Sequence, residues 1–117
     1  MDNKEFGKRL EERTRLFAIR IINLSSGLPA NVEGKVIRNQ ITRSGTSIGA
    51  NYREANRSRS KADFKSKIRL CESETSETCY WIEIIRDMKW AEPGLLELAL
   101  AEATELLAIF TSTGKNL

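Results

Sequence analysis

Three carboxylates have the types and spacing that most readily suggest chemistry in this chain. Glu74 and Glu77 lie one helical turn apart, and Glu54 lies on the preceding segment. Such a set could hold a metal in a metal-dependent hydrolase, but di-iron bundles pair each Glu with a His one turn away, and this chain has no His. The alternative is a structural ion pair, in which Arg43 bridges Glu74 or Glu77. The ion pair is favoured, and no metal, cofactor or catalytic residue is predicted.

Two cysteines are the other candidates for chemistry. Cys71 and Cys79 lie eight residues apart on one predicted helix, which separates their Cα atoms by about 12 Å, beyond the reach of a disulfide. Neither belongs to a Cys-x-x-Cys pair, so both are predicted to be small packing residues. Because the chain has no His, it cannot form a Ser-His-Asp catalytic triad or a Cys-His catalytic dyad. The sequence therefore predicts a protein that is not an enzyme and has no small-molecule substrate.

Charge is distributed unevenly along the chain. Residues 35–69 hold ten basic and two acidic residues, whereas residues 70–107 hold nine acidic and two basic ones. A basic segment can bind the phosphates of RNA, or it can meet an acidic face of a second copy of the chain. The candidate nucleic-acid-binding residues are Arg53, Arg57, Arg59, Lys61, Lys65, Lys67 and Arg69.

Apolar residues recur at helical spacing in four segments, which predicts four helices in one domain spanning residues 1–117. The first runs from about Lys4 to Ser25, with Phe6 on its apolar stripe. Asn31 is the predicted N-cap of the second, and Ser60 that of the third, which ends near Lys89. The fourth begins at Pro93, carries Leu107 on its stripe and ends at Gly114.

Short connections between these helices predict an all-α, antiparallel, up-down-up-down four-helix bundle. If the second and third helices fold back near residues 57–59, paired positions sum to about 117, which places Arg43 opposite Glu74. Asn51 and Glu54 are expected to extend this polar layer. Gly45 and Gly49 are expected to allow close packing against the third helix, although a hinge is the other interpretation of such glycines.

No apolar run is long enough to span a membrane, and the N-terminal segment lacks a core of the signal-peptide type. A cytoplasmic protein without membrane contact is expected. Tyr80 and Trp81 flank the third helix's stripe, so Trp81 is expected to lie at a subunit interface or to pack at the edge of the core.

The segment RSGTSIGANYREANRSRSKADF, residues 43–64, resembles the four-helix-bundle proteins encoded in 23S ribosomal-RNA intervening sequences. The resemblance rests on Ser47-Ile48, Asn51 and Glu54, then on an aromatic at Phe64 and a glutamate at Glu77. It implies a left-handed up-down-up-down bundle that assembles as a homopentameric ring with a central channel. Members of the family mostly lack an assigned activity.

The resemblance leaves three functions open. The first is a non-enzymatic oligomer whose basic face binds RNA or a ribonucleoprotein. The second is a purely structural assembly, in which basic and acidic segments neutralise each other between subunits. The third comes from a related branch, the accessory variability proteins of diversity-generating retroelements, which bind nucleic acid and a reverse transcriptase.

Overall fold

The computed structural model describes residues 3–117, which form four α-helices: α1 (Asn3–Ser26), α2 (Val32–Ala55), α3 (Lys61–Asp87) and α4 (Pro93–Lys115). Each helix packs against its neighbour in sequence, and α1 also meets α4, whereas the backbones of the diagonal pairs stay apart. Over these residues the fold is a four-helix bundle measuring 44 × 25 × 21 Å. The predicted all-α bundle is confirmed.

The helix starts follow the capping signals in the sequence. The Asn31 side chain accepts a hydrogen bond from the Gly34 N–H at 2.7 Å, and the Ser60 hydroxyl accepts one from the Asp63 N–H at 3.1 Å. These bonds satisfy backbone donors that have no partner within the helix. Pro93 is the first residue of α4, as predicted. Within residues 3–117, none of the helices is long and apolar enough to cross a membrane.

Two helix ends differ slightly from the prediction. α3 ends at Asp87, and Lys89 then adopts a left-handed conformation with φ of 58°. The Trp90 N–H consequently reaches the Ile85 carbonyl at 3.1 Å, which is how a left-handed residue closes a helix. Gly114 does not end α4, because no described glycine has a positive φ and the helix continues to Lys115.

The core contains the apolar stripes of all four helices, with two corrections to the predicted positions. Phe6 is 44% exposed, and Gly7 is buried against α2 in its place. On α4, Leu106 is fully buried and Leu107 is half-buried. Two adjacent leucines satisfy the same apolar pattern equally well, so only the packing of α4 against its neighbours distinguishes them.

The two glycines within α2 serve a different contact from the one predicted. A Cβ atom on Gly45 would lie 2.7 Å from Cγ2 of Ile21, and one on Gly49 would lie 3.1 Å from Oγ1 of Thr14. Both neighbours belong to α1, so the glycines bring α2 close to α1 and not to α3. Since an α-helix directs neighbouring residues to different sides, Ser44 and Ile48 face α3 instead.

We expect Gly45→Ala to lower the free energy of unfolding by about 1–3 kcal/mol, because the new methyl group overpacks against the branched side chain of Ile21. Gly94→Ala is the matched control, since a Cβ there meets nothing within 4 Å. It should leave stability unchanged or raise it by up to about 1 kcal/mol through helix propensity. Urea denaturation measures both. Equal effects of the two substitutions would contradict close α1–α2 packing.

Candidate nucleic-acid interface and its supporting polar layer

Arg43 joins α2 to both predicted glutamates of α3. Its Nη1 lies 3.1 Å from Oε2 of Glu74, and its Nη2 contacts Oε2 of Glu77. The Trp81 indole Nε1–H donates to the same Glu77 oxygen at 3.0 Å. The indole hydrogen bond and then the Arg43 guanidinium hold the pKa of Glu77 below its ordinary value of 4.5. The hydrogen bond to Glu77 correspondingly raises the pKa of Arg43.

Beneath this ion pair, buried polar groups link α2 to α3. The hydroxyl oxygens of Ser44 and Thr78 lie 2.8 Å apart, with both residues fully buried. About one turn further along α2, the Cys71 thiol points to the Ile48 carbonyl at 3.6 Å. In these contacts the residue numbers of the two partners sum to about 120, which is close to the sum of about 117 expected from the sequence. Thr78 and Cys71 of α3 therefore pack against Ser44 and Ile48 of α2.

Asn51 and Glu54 do not join the Arg43 cluster. The Asn51 amide donates to the Ser47 carbonyl at 2.9 Å within its own helix. Glu54 lines a hollow between α1 and α2, together with Glu11 and Arg53. The expected extension of the polar layer is therefore wrong, because helix rotation turns Glu54 towards α1. No group of three carboxylates or thiols within residues 3–117 could hold a metal ion.

Polar contacts that sequence reasoning missed connect the other helices. Arg13 of α1 contacts Glu102 of α4 through two hydrogen bonds of 2.7 Å and reaches Glu105 at 3.0 Å. The paired guanidinium lowers the pKa of Glu102. Between α3 and α4, the Thr111 hydroxyl donates to Glu72 at 2.6 Å. These pairs lie up to 89 residues apart in the chain, so no local sequence pattern indicates them.

Both cysteines are free. Cys71 is completely buried, and this burial raises the pKa of its thiol to about 12. Burial likewise raises the pKa of Cys79, which is half-buried. A thiol that stays protonated at neutral pH is a poor nucleophile and a poor metal ligand. The two cysteines pack within the bundle, as the sequence predicted.

The predicted basic residues gather at one end of the bundle, around the α2–α3 turn. Arg53 lies 3.9 Å from Glu11 and is partly neutralised by it. The other six form no ion pair or side-chain hydrogen bond with any residue in the described part of the chain. They are Arg57, Arg59, Lys61, Lys65, Lys67 and Arg69. We call these six residues the basic end.

The topology brings further cations to this end. α1 starts here, since Gly7 packs against Asn56, and α4 finishes here, since Asn116 lines the same hollow as Lys61 and Lys65. The exposed residues Lys4, Lys8 and Lys115 therefore lie near the basic end. Sequence reasoning missed them because they are distant in the chain, and only the antiparallel arrangement of four helices places them together.

We expect Glu77→Gln to lower the free energy of unfolding by about 0.5–1 kcal/mol near pH 7, because Glu77 is partly exposed and its ion pair is screened by solvent. A carboxylate with a lowered folded-state pKa stabilises the protein above pH 4.5, and this contribution is lost as the pH falls through the folded value. The difference between wild type and variant should therefore shrink as the pH is lowered from 5 towards about 3.

Urea denaturation at several pH values tests this expectation. Glu83→Gln is the control, since Glu83 is an exposed α3 glutamate without an ion pair within residues 3–117. A Glu77→Gln effect that does not change with pH would show that the carboxylate charge is not what Arg43 and Trp81 stabilise.

Comparison with known proteins places this geometry in a family. The profile of the 23S rRNA-intervening sequence protein family matches residues 9–112. A crystal structure from Bacteroides thetaiotaomicron VPI-5482, described as a protein with unknown function from the S23 ribosomal protein family, superposes with a TM-score of 0.83. The two sequences are 36% identical, and the alignment covers 90% of this chain and 97% of that one. No curated protein matches the chain.

Proposed function

Since the chain belongs to the 23S rRNA-intervening sequence protein family, we propose that it is a non-enzymatic oligomer that binds RNA through its basic end. The observation that carries this proposal is the set of six cations at one end without an acidic partner in the described chain. Elsewhere in the bundle, most arginines are neutralised by glutamate or aspartate within the molecule, such as Arg13 and Arg43. Unpaired cations gathered at one end are free to bind phosphates.

The absence of recognisable catalytic groups supports a binding role. The chain has no His, and the Cys71 thiol is buried with a raised pKa. Glu74 and Glu77 are held by Arg43, and Glu54 lies on the side facing α1. Within residues 3–117, no nucleophile, base and oxyanion donor come together in a cleft, which is the arrangement an active site needs.

Two exposed apolar patches support self-association. The first lies along the groove between α1 and α4 and contains Leu16, Ile19, Leu95 and Leu98, each 44–58% exposed. The second lies on the α2–α3 face, where the register places Val32 and Val36 level with Met88 and Ile84. Exposed apolar patches on a small protein commonly mark interaction surfaces.

These two patches lie on opposite faces of the bundle, because α1 neighbours α4 and α2 neighbours α3. A contact that joins two different surfaces repeats from copy to copy and closes into a ring when the rotation allows. The homopentamer that the resemblance implies would satisfy this geometry. Both patches lie away from the basic end, which stays accessible in such an assembly.

A purely structural assembly is the second candidate, and the uneven charge favours it. Residues 70–107 carry nine acidic residues, and the basic end of one copy could pair with them on the next. In that case the basic end would be buried between copies and unavailable to RNA.

We expect the protein to retard a structured RNA in an electrophoretic mobility shift assay. Affinity should fall about a thousandfold between about 50 and 200 mM salt if six cations engage phosphates. Arg57→Gln with Arg59→Gln should weaken binding. It should also reduce the salt slope, the slope of log affinity against log salt concentration, by about 2. The matched control is Lys35→Gln with Lys89→Gln, exposed lysines at the opposite end. Absence of a shift at low salt, or a shift that salt does not alter, would contradict RNA binding.

We expect Leu98→Glu to convert the oligomer to smaller species in multi-angle light scattering, since it places a charge within an apolar contact. Ser76→Glu, an exposed α3 position outside both patches, is the control and should leave the assembly intact.

Charge reversal at Arg57 and Arg59 separates the two candidate functions, RNA binding and a purely structural assembly. Loss of the oligomer would support the purely structural assembly, whereas an intact oligomer without RNA binding would support the proposed function.

A further inference from the structure

The aromatic side chains of the bundle are almost all unavailable at the basic end. Tyr52, the aromatic nearest the turn on α2, is buried against Phe110 with ring centroids 5.8 Å apart. Phe64 is half-buried and packs against the core. Trp90 lies at the opposite end, in the α3–α4 connection, and the exposed Tyr80 lies nearer to that end than to the basic one. Among the described residues, Phe6, which is 44% exposed, is the most open ring near the basic end.

The cations spread over the end of the bundle and are not confined to one groove, although Lys61 and Lys65 line a hollow with Asn116. Lys61, Lys65 and Arg69 recur once per turn of α3, so they form a line that rises about 12 Å. Arg57 and Arg59 occupy the turn beside this line. Lys4, Lys8 and Lys115 extend the positive surface onto α1 and α4. Together these residues spread over the end of a bundle that measures 25 × 21 Å in cross-section.

Proteins that hold single strands combine a basic groove with several aromatic platforms, one for each stacked base. Here one ring could stack a single base, and the cations spread over a broad end. Double-helical RNA makes different demands, because its bases are hidden in the stack and proteins recognise its shape through phosphates and 2′-hydroxyls. Long, unpaired lysine and arginine side chains can make such phosphate contacts without any aromatic platform.

We propose that the basic end binds double-helical RNA, through its phosphates and in preference to single strands. This inference rests on the proposed RNA-binding function and narrows its ligand. Phosphate contacts carry no sequence information. Affinity should therefore depend on the helical form and length of the RNA and on salt, with little dependence on base sequence.

Fluorescence anisotropy with two labelled probes tests this inference: an RNA duplex of about 20 base pairs, and an unstructured oligouridine of about 20 nucleotides. At low salt, we expect the duplex to bind at least about tenfold more tightly. Replacing Lys61, Lys65 and Arg69 with Gln should lower the salt slope for the duplex by about 3. The control, Lys35→Gln with Lys89→Gln, should leave that slope unchanged.

Phe6→Ala gives the sharpest readout of binding mode, because base stacking on one ring is worth about tenfold or more in affinity. Duplex affinity should change by less than about twofold in this variant. Equal or tighter binding of oligouridine, or a tenfold loss of duplex affinity in Phe6→Ala, would overturn the preference for double-helical RNA while leaving RNA binding in place. Failure of both probes to bind at low salt would overturn the proposed function itself.

Discussion

The antiparallel register of α2 and α3 is the constraint on which the rest of the molecule depends. It is fixed in the interior by the hydroxyls of Ser44 and Thr78, 2.8 Å apart and fully buried. Sliding one helix by a turn would break this contact and leave each hydroxyl with only its hydrogen bond to a carbonyl of its own helix, that of Glu74 for Thr78 and that of Ile41 for Ser44. Arg43 reinforces the same register at the surface through Glu74 and Glu77. A polar layer of this kind specifies alignment more than it adds stability.

This register also determines where charge accumulates. Because α2 and α3 meet in one alignment, the turn between them lies at an end of the bundle and not along its side. The cations of that turn are then joined by those at the start of α1 and the finish of α4. The glutamates of α3 lie further along, where Glu74 and Glu77 pair with Arg43 and Glu72 accepts a hydrogen bond from Thr111. The basic end thus results from topology as much as from local sequence.

Much of this arrangement could be predicted from sequence, since capping residues and apolar periodicity are local signals. Asn31, Ser60 and Pro93 mark the starts of three helices, and the Arg43–Glu74 contact follows from counting residues across one turn. Finer features could not be predicted, because they depend on how each helix is rotated. Gly45 and Glu54 could equally have faced α3, and only packing against α1 settles their side of α2.

The contacts of α4 could not be predicted from the sequence. Arg13 and Glu102 are separated by 89 residues, and neither belongs to a recognisable motif. The hydrogen bond from Thr111 of α4 to Glu72 of α3 likewise has no local sequence signal. Candidate site residues could be proposed from the sequence where charge clusters along the chain, as at Arg57 and Arg59. They were missed where the fold assembles them from distant segments, as for Lys4, Lys8 and Lys115.

The placement of the apolar patches along the sides of the bundle, with the cations at its end, has a consequence for avidity. Copies that associate through their sides at the same level keep their axes roughly parallel. Their basic ends then point in one direction and form a single multivalent surface. If the basic end binds RNA as proposed, each end alone would make only a few screened contacts, but linked sites bind with a high effective concentration, which can raise affinity by about 10²–10⁴ without any new contact. Assembly would in this way turn a weak, general attraction for phosphate into stable binding.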